Sequence, residues 1–151
     1  MKRPNIAVQI AADVDAAPRA AELRRWARAA LGKIDETGDL CIRIVGADEM
    51  ADLNARFRKK QGTTNVLSFG ADVVVPDGDE RWLGDVVICA PVVAAEAARQ
   101  GKTPLDHYAH LVVHGVLHLC GCDHEEPDEA KVMEQLEVAI LKTLSVDDPY
   151  R

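Results

Sequence analysis

Hydrophobic positions along the chain follow two periods. Ile6, Val8 and Ile10 alternate with Ala7 and Gln9, the period-two pattern of a half-buried strand. Leu40, Ile42 and Ile44 alternate in the same way with Cys41 and Arg43, residues 65–69 read as a short strand, and Leu83 to Cys89 as a strong one. Elsewhere the period is that of a helix. After Pro18, the side chains of Leu23, Trp26, Ala27, Ala30 and Leu31 share one face, and Gly32 predicts the end of that helix. Met50, Leu53, Asn54 and Phe57 predict a helix over 47–57, followed by a loop over 59–63. Residues 76–79, Pro-Asp-Gly-Asp, predict a turn. Pro91 to Arg99 reads as a helix stopped by Gly101, and Pro104 opens a long apolar helix that ends at Gly121. The final helix falls within 123–144, entered through Pro127, with Val132, Met133, Leu136, Val138, Ile140 and Leu141 as its apolar positions. There is no internal repeat, low-complexity tract or linker. Strands mix with helices and helices dominate the C-terminal half, so the expected class is α+β: a small mixed β-sheet covered by helices, in one domain spanning 1–151.

Composition narrows the function classes. With 48% hydrophobic and 28% charged residues, the chain is neither disordered nor fibrous. It has no run of 18 apolar residues, so no transmembrane helix is expected, and the N-terminus carries no apolar secretory stretch. Cys41, Cys89, Cys120 and Cys122 form no C-x-x-C pair; a reducing, cytoplasmic location is expected, with Cys41 and Cys89 as small buried hydrophobes. The net charge of −7 argues against indiscriminate coating of nucleic acid, but it is unevenly spread: residues 1–69 are net +3 and residues 70–151 net −10. The densest basic run is Arg56, Arg58, Lys59 and Lys60, which taken alone reads as a solvated loop.

All five histidines lie between His107 and His124. His114 and His118, four residues apart, project from one helical face about 6 Å apart. Gly121 can take the left-handed conformation that turns the chain back, so that His124 supplies a third imidazole. Three neutral imidazoles suit one Zn²⁺ and leave a fourth position for water, the arrangement of a catalytic rather than a structural zinc site. The competing stripe His107, His110, His114 and His118 shares the helical face; here His110 is expected to make a polar contact near the site and His107 to be exposed. A closed His/Cys site using Cys120 and Cys122 would instead be structural. Asp85, Asp123 and Glu125 are candidate general bases, and Asp123 could equally orient a ligand imidazole.

The run His114-Gly115-Val116-Leu117-His118-Leu119-Cys120-Gly121-Cys122-Asp123-His124 has the spacing of metzincin proteases, but Gly115 stands where those enzymes carry the glutamate base. The run resembles more fully the H-G-x-L-H-L-x-G-x-D-H signature of the YbeY family of single-strand-specific endoribonucleases and ribosomal RNA maturation factors. Arg58 with Thr64-Asn65-Val66-Leu67-Ser68-Phe69 is similar to that family's Arg…P-T-[ND]-V-L-S-F stretch, with Thr63 in place of the usual proline. Leu83-Gly84-Asp85-Val86-Val87-Ile88 is similar to its L-G-D-I-x-I strand. The likeness covers about residues 40–144.

It implies a zincin-like metal-binding helix, one zinc ion on His114, His118 and His124, and catalysis carried by Arg58, on phosphate, and His114. Water activated by the metal would attack the phosphodiester. RNA, small-subunit ribosomal RNA in particular, would be the substrate, and the ribosome, its proteins and a ribosome-assembly GTPase the partners, in rRNA processing and ribosome quality control. Arg56, Lys59 and Lys60 become candidate RNA contacts. Two other classes stand beside this one: a non-catalytic ribosome-assembly factor with structural zinc, and a metalloprotease. For the former, the acidic residues Glu125, Glu126, Asp128, Glu129, Glu134 and Glu137 could dock a basic ribosomal protein, or form a solvated helix face.

Overall fold

In the computed structural model, residues 4–70, 82–122 and 126–150 are described. Four strands, β1 (Ile6–Ile10), β2 (Asp39–Val45), β3 (Val66–Gly70) and β4 (Trp82–Cys89), form one sheet in the order β1-β2-β4-β3. β1, β2 and β4 run parallel, and β3 is antiparallel to β4 at the edge. Five helices cover it: α1 (Ala20–Lys33), α2 (Ala47–Arg58), α3 (Ala90–Gln100), α4 (Pro104–Leu119) and α5 (Pro127–Thr143). This is the expected α+β arrangement of a small mixed sheet under helices.

Strand alternation sorts the core into two layers. Leu40, Ile42 and Ile44 of β2 and Val86 and Ile88 of β4 face the larger cluster, with Leu23, Trp26 and Leu31 of α1, Val112, Val116 and Leu117 of α4 and Met133, Ile140 and Leu141 of α5. Val45, Leu67, Val87 and Cys89 face the smaller one, with Met50 of α2. β2 is thus buried on both faces rather than half-buried, as befits a central strand in parallel pairing. Cys41 and Cys89 are buried as expected, and burial pushes both thiols upward.

Three local expectations change. α1 runs through Gly32 to Lys33, and the left-handed residue beyond it is Asp35 (φ 55°), because the turn falls after the helix rather than at its glycine. Phe57, expected on the buried stripe of α2, is 61% exposed: its ring meets that of Phe69 on the edge strand but is left largely uncovered, and only Met50 and Asn54 are buried along α2. Val132 on α5 is likewise exposed, while Glu137 of the same helix is buried. The predicted turn at 76–79 lies outside the described residues.

α4 is the centre of the larger layer. Its N-terminus is capped by the Thr103 hydroxyl, which accepts from Asp106 N at 3.1 Å. It approaches the sheet closely at Gly115, where an added Cβ would lie 2.7 Å from Val86 Cγ1. Ser68 of β3 donates its hydroxyl to the Gly115 carbonyl at 3.0 Å, tying the edge strand to the helix. Gly121 then turns the chain at φ 95°, as expected for the end of this helix.

Candidate metal centre

The apolar face of α4 is buried in the core, so its histidines stand along the helix flank, where the core gives way to the cleft and to α5. His114 and His118 lie with their rings parallel, 3° between planes and 6.4 Å between centroids. Both line a cleft of about 510 Å³ whose opposite wall is the end of α2 and the following loop: Asn54, Arg58, Lys60, Gln61, Thr63 and Thr64. Its floor is the edge strand, Val66 to Ser68. The structure therefore brings together three residues singled out from sequence, Arg58, His114 and His118, from two helices 56 positions apart in the chain.

The Arg58 wall is built locally. α2 ends at Arg58 because Lys59 takes the left-handed conformation (φ 53°), and Lys60 N donates back to Asn54 O at 3.3 Å. The buried Asn54 side chain donates to Gly62 O at 3.1 Å and anchors the loop. Arg58 Nη2 donates to Ser68 O at 3.0 Å, which aims the guanidinium along the cleft floor. Lys60 lines the cleft. Arg56 is turned to Asp52, 3.3 Å away and exposed. The predicted basic run is thus one arginine and one lysine on the cleft wall, with Arg56 and Lys59 beside it.

On the other side of the histidines is Glu137, 1% exposed. Its Oε1 accepts from His110 Nε2 at 2.7 Å, from His114 Nδ1 at 3.3 Å and from the Tyr150 hydroxyl at 2.9 Å. Burial alone would raise its pKa; the hydrogen bonds from His110 and His114 outweigh burial and hold the carboxyl at about 2. The consequence for His114 is chemical. With its proton on Nδ1 facing Glu137, the lone pair is on Nε2, the tautomer a metal-binding imidazole needs.

His110, His114 and Glu137 bring ligand atoms within 4.8 Å of one another and could hold a metal ion. Imidazole and carboxylate donors suit zinc and its neighbours in the first transition row. The histidine pair facing the cleft and the Glu137 cluster share His114.

Several expectations are corrected here. Glu137 is no part of an acidic docking face or a solvated one; it is buried against two histidines. His107 is 3% exposed rather than exposed, bonded through Nε2 to Glu96 Oε1 at 2.9 Å, which also accepts from Asn65 at 3.0 Å. His110 makes the expected polar contact. Asp85 does not join the cleft: strand alternation places it with Val87 and Cys89 on the α2 face of the sheet, next to Cys41, while α4 covers the other. Cys120 and Cys122 pack partly buried against the core, and burial raises both thiols, Cys120 to about 12, away from the thiolate form that binds metal. A glutamate at position 115 is sterically barred, since Gly115 faces Val86 and the sheet rather than the cleft. Asp123, His124 and Glu125 lie outside the described residues.

Sequence reasoning missed Glu137 and Tyr150. The signal for Glu137 was a carboxylate in register with Met133, Ile140 and Leu141 on the apolar stripe of α5. Tyr150 had no signal in the sequence, because its contact depends on how the chain returns after α5.

The comparisons agree with one another. A family model described as Endoribonuclease YbeY matches residues 9–145, so the likeness extends well before residue 40. A relative from Stenotrophomonas maltophilia (strain K279a), named Endoribonuclease YbeY, is 53% identical, with 98% of this chain and 94% of the relative aligned. Another of that name, from Xanthomonas axonopodis pv. citri, is 51% identical over the same shares. The solution structure of a Thermotoga maritima protein matches with a TM-score of 0.57 and 19% identity, covering 97% of this chain and 95% of that one; this bears on the fold alone. No helix among the described residues is long and apolar enough to cross a membrane. With the family model spanning nearly the whole chain and relatives at half identity along it, this chain belongs to the YbeY endoribonuclease family.

Proposed function

We propose that this protein is a zinc-dependent endoribonuclease that cuts single-stranded RNA. The observation that carries the reading is the cleft itself: a guanidinium and two parallel imidazoles on facing walls. The sequence spacing adds His124 as a third imidazole. The relatives' shared name, Endoribonuclease YbeY, supplies the substrate class. Single-strand preference, a role in small-subunit rRNA maturation and ribosome quality control, a cytoplasmic location, and ribosomal proteins and an assembly GTPase as partners follow from the family resemblance.

His114, His118 and His124 would hold the ion, and Glu137 keeps the proton of His114 on Nδ1. Zinc bound there supplies Lewis acidity and lowers the pKa of water from 15.7 toward about 7. Arg58 presents a forked donor pair to phosphate oxygens, and its bond to Ser68 O fixes the direction of the fork. Charge gathering on the phosphate in the transition state is met by that guanidinium, and Lys60 on the same wall draws the RNA backbone in. His110, His114 and Glu137 form the rival ligand set. Against it, Glu137 Oε1 already accepts three hydrogen bonds in a buried position, the role of a carboxylate that orients ligands.

The test is cleavage of single-stranded RNA by zinc-loaded protein, by His118→Ala and by His110→Ala, each confirmed folded, with a chelator control and zinc stoichiometry. Loss of zinc and of cleavage in His118→Ala, with zinc retained in His110→Ala, is expected. Cleavage that survives in folded His118→Ala and in chelator overturns the enzymatic reading and leaves a ribosome-assembly factor. Zinc lost with His110 and kept without His118 overturns the ligand set.

A further inference from the structure

The exposed ring of Phe57 is unexplained by the fold. Among the described residues it is the most exposed of the large hydrophobic side chains, at 61%. It is nonetheless held in place: its ring meets that of Phe69 edge to face, 67° between planes and 5.4 Å between centroids. Phe69 packs in turn against the smaller core layer. A ring held edge to face by its neighbour and still 61% exposed is a stacking surface rather than a loose side chain.

Its neighbours say what would stack there. Phe57 precedes Arg58 in the chain, and Phe69 follows Ser68, whose carbonyl holds the Arg58 guanidinium. The aromatic pair stands on the α2 side of the edge strand, where Phe69 pairs with Asp85, and from the same helix Arg58 donates to Ser68 O at the cleft floor. Arg56, one residue before Phe57, and Lys59, two after it, bring positive charge, with Arg56 paired to Asp52. A planar apolar face among cations beside a phosphate-binding arginine matches one chemical group, a nucleobase unstacked from its neighbours in a single strand. A duplex would bury its base faces and leave the ring without an occupant.

We infer that Phe57, braced by Phe69, is a base-stacking subsite for the nucleotide next to the phosphate held by Arg58. The inference rests on the endoribonuclease reading and adds to it a source of preference for unpaired RNA. The bases elsewhere need no such platform, since the chain has only two phenylalanines, two tyrosines and two tryptophans.

The experiment is a steady-state comparison of wild type, Phe57→Leu and Phe57→Trp on a single-stranded oligoribonucleotide and on a series carrying one abasic nucleotide at each position. Phe57→Leu is expected to raise KM by at least about five-fold, the lower end of what one base–aromatic stack contributes, with kcat essentially unchanged. Phe57→Trp should stay near wild type. One abasic position should penalise the wild type and no longer penalise Phe57→Leu, a coupling that a merely structural ring would not produce. Equal abasic penalties in both proteins, or a fall in melting temperature for Phe57→Leu with KM unmoved, overturns the subsite. A wild-type protein that neither binds nor cuts the oligonucleotide overturns the endoribonuclease reading, and the subsite with it.

Discussion

Gly115 offers the sharpest test of how α4 is seated. An alanine there would place Cβ 2.7 Å from Val86 Cγ1, 3.3 Å from Val86 Cγ2 and 3.4 Å from Ser68 Oγ. Carbon atoms in contact sit about 3.5–4.0 Å apart, so helix and strand must separate by roughly 1 Å. Val86 is fully buried and β-branched, and cannot swing aside. Overpacking of this kind costs roughly 1–3 kcal/mol, against which alanine returns about 1 kcal/mol of helix propensity over glycine. Gly115→Ala should therefore destabilise, by up to about 2 kcal/mol. Val86→Ala removes both obstructing carbons and itself costs roughly 2–3 kcal/mol in lost burial and cavity. In that background Gly115→Ala should stabilise, by about 1 kcal/mol, because the propensity gain stands without a clash. The assay is urea unfolding of the four proteins in chelator, read as a double-mutant cycle with an expected coupling of about 1–3 kcal/mol. The same effect of Gly115→Ala in both backgrounds, or stabilisation of the wild type, would refute the close-contact argument. In the wild-type background, RNA cleavage should fall further than stability does, since the shift moves His114 and His118 away from Ser68 and Arg58.

Other outcomes follow from the site. Glu137→Gln should weaken zinc binding by roughly 10- to 100-fold in chelator competition, because His114 loses the carboxylate that fixes its tautomer. In metal-free protein, the lowered Glu137 pKa, about 2 against 4.5, contributes stability that is whole above pH 4.5 and lost as pH falls toward 2; the wild-type advantage over Glu137→Gln in urea should shrink across that window, and a constant gap would count against it. Arg58→Lys keeps the charge but not the fork, so kcat should drop while the salt dependence of RNA binding stays near wild type. Lys60→Ala should weaken RNA binding and reduce the log–log salt slope by about 0.7, whereas Arg56→Ala, half-satisfied by Asp52, should change it less.

The elements were legible because their periods were clean: among the described residues, the four strands and five helices fall where alternation and helical spacing put them, although α1 runs past its stop glycine. The α4 histidine pair was legible for the same reason, since i and i+4 share a face in any helix. What was not legible is whatever depends on the angle between elements. Phe57 reads as buried because α2 has an apolar stripe, and only the packing shows that this end of the stripe meets the edge strand alone, at Phe69, and stays uncovered. Asp85 sat in a motif beside glycine, but parity along β4 sends it to the face opposite the histidines. Glu137 was counted with the exposed acidic residues of α5 because charge is read as surface. Its burial depends on two histidines from a helix more than twenty residues earlier.

The cleft has walls of unequal endurance. α4 is buried along most of its length at the centre of the larger core layer, so its amides should exchange with solvent only through global opening. Among the described residues, the facing loop is held by the Asn54 side chain on Gly62 O and the backbone bond from Lys60, its residues are largely exposed, and it should open far more often. Mild heat or denaturant would then release the Arg58 wall while the histidine wall stays assembled, giving a protein whose imidazoles keep their places after the cleft has lost its guanidinium.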